Sequence, residues 1–110
     1  MELKNIQLTD AMGSPAVVKN DLGDICPLTL FDGLKTLVWN MPFRDLHIGD
    51  SETARFILGG LSNAQSNGNM LQLDQGQYEW LAKAVNDHAT PIFGVNAVCL
   101  RDSLGEQWQQ

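Results

Sequence analysis

Apolar residues fall into two rhythms along this chain. Near the N-terminus, Ile6 and Leu8 alternate with polar neighbours in "ELKNIQLTD", and the pair Val17 and Val18 follows in "PAVVKN". Alternation and β-branching favour extended backbone. "DAMGS" and "DLGD" are turn sequences, and Gly13 is free to take a positive φ. The pattern predicts a β-hairpin from about Leu3 to Lys19. Two strands are marginal alone, so this hairpin is expected to lie against helices.

Further along, the period becomes helical. Leu30, Leu34, Leu37 and Val38 share one face, with Thr29 and Asp32 forming an acidic variant of a capping box. Gly33 weakens this helix and Pro42 ends it near Asn40 or Met41. A second helix is predicted in "SETARFILGGLSNA", capped by Asp50 or Ser51, with Glu52 at the positive end of the helix dipole. Thr53, Phe56, Ile57, Gly60 and Leu61 trace one face. The Gly59–Gly60 pair either permits close approach of another backbone or weakens the helix end. "QSNGN" reads as a loop with an Asn-Gly turn.

The clearest helix start follows the short extended stretch "MLQL". Asp74 and Gln77 make a capping box, and Leu73 and Tyr78 make a hydrophobic staple. Tyr78, Leu81, Ala82 and Val85 form one stripe, with Trp80 and Ala84 on a second face. Thr90 and Pro91 are read as the cap and first residue of a further helix. That helix carries Ile92, Val95 and Cys99 on one line and Phe93, Ala97, Leu100 and Leu104 on another, and Gly105 terminates it. So wide an apolar surface predicts a helix held centrally, turned against its predecessor by the link Asp87–Thr90.

The predicted fold is therefore α+β. It is a mostly helical single domain, with a β-hairpin region over 1–22, about four short helices over 28–104 and a frayed tail over 105–110. A length of 110 residues fits one domain, and 44% hydrophobic residues argue against wholesale disorder.

Charge narrows the function. Seven Lys and Arg stand against 13 Asp and Glu, for a net charge of −6. That balance and the scatter of the basic residues disfavour direct nucleic-acid binding. No apolar run approaches the ~18–20 residues of a membrane span, and "MELKNIQL" is not a signal peptide. A cytosolic location is expected, with Cys26 and Cys99 as reduced, buried thiols.

Sites of chemistry are sparse. His47 and His88 are the only histidines, and neither belongs to a metal-ligand spacing. No cysteine has a base nearby in sequence, no G-x-S-x-G is present, and "ILGGLSNAQSNG" lacks the Lys-Ser/Thr of a phosphate loop. No catalytic, metal or cofactor-binding residue is therefore expected, and no cofactor. Aromatic residues are more informative. Three tryptophans are difficult to hide completely in a domain this small, and exposed Trp is enriched at interaction hot spots. The candidate protein interface is Trp80, Trp39, Trp108 and Phe93, with Trp80 preferred because the inner stripe of its helix is already filled.

Three segments, "ETARFILGGL", "LQLDQGQYEWLAKAVND" and "TPIFGVNAVCLRDSL", together resemble small accessory proteins of tailed bacteriophages and prophages. The resemblance covers the C-terminal half and implies a context, not a catalytic residue. The expected function is that of a small interaction or assembly protein, docking an aromatic helical face onto a protein partner or a second copy. The alternatives are an acidic regulator of a nucleic-acid-processing host protein and, third, a small hydrolase.

Overall fold

The computed structural model describes residues 2–10, 12–19, 22–42, 44 and 46–108. Three short strands come first: β1 (Glu2–Lys4), β2 (Val17–Lys19) and β3 (Ile25–Pro27). Helices α1 (Leu30–Trp39) and α2 (Ile48–Ser66) follow, then strand β4 (Met70–Gln72) and helix α3 (Gln75–Phe93). A 3₁₀ turn, Gly94–Asn96, leads into α4 (Ala97–Trp108). The domain is predominantly α-helical.

Helix α1 is the centre of the core. Leu30, Phe31, Leu34, Leu37 and Val38 are fully buried, and α2, α3 and α4 all pack against this one short helix. Ile57 and Leu61 from α2, Leu81 from α3, and Leu100 and Leu104 from α4 complete the interior. Each such side chain contributes about 2 kcal/mol by leaving water. The expectation of a centrally held last helix is thereby corrected, since Val95 and Val98 at the start of that helical segment are exposed.

The Leu3–Lys19 hairpin does not form. β1 pairs antiparallel with β4, joining Leu3 to Leu71, while β2 pairs antiparallel with β3, joining Val18 to Cys26. The turn between them does close: the Asp10 carboxylate accepts from the backbone N–H groups of Met12 (2.9 Å) and Ser14 (3.0 Å), and Gly13 takes φ +83°. Pairing across it stops at one bridge, Thr9 with Pro15. From there a third segment, at Leu28, joins the two arms. Leu8 N–H donates to the Leu28 carbonyl (3.0 Å), Leu28 N–H to Ala16 (2.9 Å), and Ala16 N–H to Leu8 (2.8 Å). Three segments thus close a ring of backbone bonds. The Gln7 side-chain amide sits against it, with Nε2 2.9–3.0 Å from all three of those carbonyls.

The helices also differ from about four short ones. α2 and α3 have 19 residues each, and the segment from Gln75 to Trp108 is helical apart from a break at Gly94. Pro91 lies inside the last turn of α3 instead of opening a helix. It is exposed there, so the carbonyl left without its N–H donor can meet water. The break falls three residues later, where Gly94 adopts φ +59°. α4 then returns along α3, and the buried Tyr78 hydroxyl donates to the Leu104 carbonyl (3.1 Å). Gly105 does not stop α4. The Gln107 side chain holds the helix to β1, accepting from Lys4 N–H and donating to the Lys4 carbonyl (2.8 Å).

Local capping follows the sequence where polar side chains are correctly spaced. Asp74 Oδ1 accepts from Gln77 N–H (2.7 Å), Gln77 Oε1 accepts from Asp74 N–H (3.0 Å), and Leu73 and Tyr78 are buried as a staple. Thr29 Oγ1 accepts from Asp32 N–H (3.3 Å). α2 begins earlier than Asp50 or Ser51. His47 is its N-cap, and Asp50, three residues on, accepts from His47 N–H (3.1 Å).

Replacing Gln7 by Ala removes the amide from the three-carbonyl ring. The expected cost is about 1–2 kcal/mol, read as a lower urea midpoint at unchanged slope. An unchanged midpoint would show that the ring holds without it.

Candidate docking groove

One helical step separates the core from the candidate site. Val38 is fully buried, and the next residue, Trp39, is rotated about 100° away from it. Trp39 is 76% exposed, alone among the large apolar residues of α1. It overhangs α2, whose Ala54, Ile57, Leu61 and Ala64 face the core. The adjoining α2 face carries Ser51, Arg55, Leu58 and Ser62 at helical spacing. Together with Trp39, Ala54 and Gly59 it lines an open groove of about 730 Å³.

Two smaller clefts extend this surface. Lys35, Thr36 and Asn40 bound the far side of Trp39. Across α2, Arg55 and Gly59 are shared with a cleft that also contains Glu52, Phe56, Gly60 and Leu71. Phe56 is 57% exposed, and Met70 beside Leu71 is also exposed. A continuous surface therefore crosses α2 from one aromatic side chain to another.

The two adjacent glycines behave differently. A Cβ on Gly60 would meet Leu71 Cδ1 at 2.8 Å, so the fold itself uses that glycine to seat β4. A Cβ on Gly59 would meet nothing within 4 Å. Gly59 thus weakens the middle of α2 without any packing need inside the protein.

Charge at the groove is simple. Among the described residues Arg55 is the only charged one lining it, and its side chain makes no hydrogen bond or ion pair with any of them. Lys35, in the next cleft, is engaged by Asp32 and by the Gln65 side chain.

The other expected interface residues lie elsewhere. Trp80 is half-buried against the core, and its indole N–H donates to Asp50 Oδ1 (2.8 Å). That bond ties α3 to the first turn of α2. It is the largest influence holding the Asp50 carboxyl below its ordinary value, followed by the His47 backbone N–H. Phe93 is half-buried at the end of α3, packed on the same core. Trp108 is the last residue of α4, and its side chain lies outside the described residues. Of the three whose side chains are described, Trp39 alone lines the groove.

Arg55 and Leu58 were not among the residues singled out from sequence, whereas Gly59 was, as half of a pair that permits close approach of another backbone or weakens the helix end. The available signal was the Ser51–Arg55–Leu58–Ser62 stripe, which is too polar to register as an apolar face. Cys26 and Cys99, expected to be buried, are each only half-buried. Among the described residues, no cluster of three or more His, Cys, Asp or Glu is placed to hold a metal ion. No family model, curated protein or solved structure matches the chain.

Gly59→Ala is expected to raise stability by about 1 kcal/mol. Gly60→Ala should gain less, because Leu71 must move; a thermal melt of both variants compares them directly. Equal stabilisation by the two would contradict the different roles assigned to these glycines.

The Asp50 contact predicts an acid limb. A carboxyl depressed in the folded state adds stability above its unfolded value, lost as pH falls through the folded one. The Trp80 indole N–H signal in an NMR titration should therefore move with a midpoint below 3.8, and Asp50→Asn should abolish that step. A midpoint at or above 3.8 would contradict the assignment.

Proposed function

We propose that this protein acts by docking a separate protein onto the groove between Trp39 and α2. The exposure of Trp39 beside Leu58, Arg55 and Gly59 carries the reading. Isolated exposed apolar residues are ordinary. An indole overhanging an apolar groove, with Arg beside it, has the composition of a hot spot, where a single side chain can be worth about 2 kcal/mol or more of binding. The mechanism is occlusion or assembly, requiring no chemical step by this chain. No helix among the described residues is long and apolar enough to cross a membrane. The resemblance to phage accessory proteins supports a partner from a phage or its bacterial host.

The test uses purified components. A protein that co-purifies from the native host is identified, prepared separately and titrated against this chain. Trp39→Ala should weaken the complex about tenfold or more, while Val95→Ala, on the outer face near the 3₁₀ turn, should not. Equal affinity of wild type and Trp39→Ala would reject the groove as the docking site.

A further inference from the structure

The groove also restricts the chemistry of its occupant. We infer that it receives an amphipathic helix bearing carboxylates along one edge, crossing α2 over Gly59; this rests on the docking function proposed above.

Shape is the first argument. The groove runs from Ser51 to Ser62 on one helix, about 16 Å at 1.5 Å per residue. That matches roughly three turns of a second helix presenting anchors at i, i+3 or i+4, and i+7. A β-strand ligand would need a sheet edge to pair with, and the groove is walled by helices whose peptide groups bond internally. A helix satisfies its own.

Gly59 is the second argument. The fold leaves the space over this residue open although a side chain would strengthen α2. A glycine at that point lets another backbone approach α2 closely, with Trp39 and Phe56 on either side.

Charge is the third. Arg55 lines the groove without a carboxylate partner among the described residues. Glu52 shares the neighbouring cleft but makes no ion pair with it. The planar guanidinium suits bidentate contact with an incoming Asp or Glu, and it can stack beside an indole. The net charge of −6 disfavours a second copy as the source of that carboxylate.

A displayed library of amphipathic helices tests this directly. Each member is about 18 residues long, five turns, with a varied apolar stripe and Glu or Lys at random on the flanks. Selection against the intact chain should enrich Glu on one flank, with selected helices binding about tenfold tighter than their Lys counterparts. Against Arg55→Glu the preference should reverse to Lys. Gly59→Leu should remove binding while keeping the helical circular dichroism. Arg55→Glu alters only an exposed side chain and keeps the test valid if Gly59→Leu fails to fold. No enrichment of helices, or enrichment indifferent to Arg55→Glu, would overturn the inference. Wild-type dimers that dissociate in Arg55→Glu would overturn it in favour of a second copy. Failure of the docking function itself reads differently: helices selected on the wild type would then bind Trp39→Ala undiminished.

Discussion

Burial of the apolar face of α1 is the constraint from which the rest of this structure follows. A ten-residue helix is too short to be stable in water by itself. Here it gains its stability from five fully buried side chains contacted by three other helices. Those helices must wrap around it, which explains the reversal at Gly94 and the return of α4 along α3. It also explains the strands. β1 and β4 come from distant parts of the chain because each is an edge of the shell around the same core, where Leu3 and Leu71 are buried together.

The same constraint creates the groove. α1 presents its apolar stripe inward up to Val38, and then ends one residue later with an indole that the core has no room to receive. α2 packs on α1 through Ala54, Ile57 and Leu61, so its neighbouring stripe lies open beside that indole. Asp50 and Trp80 fix the start of α2 against α3 from another direction. The groove is therefore built on regular helices with a tied end, a better platform for recognition than a loop.

Legibility in the sequence depended on distance. The Asp74–Gln77 box, the Leu73–Tyr78 staple and the Thr29 cap involve side chains and backbone groups within one turn, and they formed as read. The hairpin failed because one bridge at Thr9–Pro15 could not outweigh distant partners for Leu3 and Leu8 and the neighbouring β3 for Val18. Pro91 misled for a related reason: proline is tolerated at the first position of a helix, but also in an exposed last turn. The position of Gln107 on β1, 103 positions along the chain from Lys4, had no local signal at all. At the groove, the presence of Trp39 at a helix end was legible. Its position opposite the stripe of Leu30, Leu34, Leu37 and Val38 was legible too, but nothing local showed that α2 would leave it uncovered. The distinction between Gly59 and Gly60 likewise required knowing where Leu71 lies.

The central claim is that Trp39 is covered by another protein when this chain is at work. Hydroxyl-radical footprinting in living host cells and on the purified chain measures that cover at the side chain itself. The account predicts strong protection of Trp39 in cells relative to the purified protein, with Val95 labelled alike in both. Equal labelling of Trp39 in the two settings would contradict it.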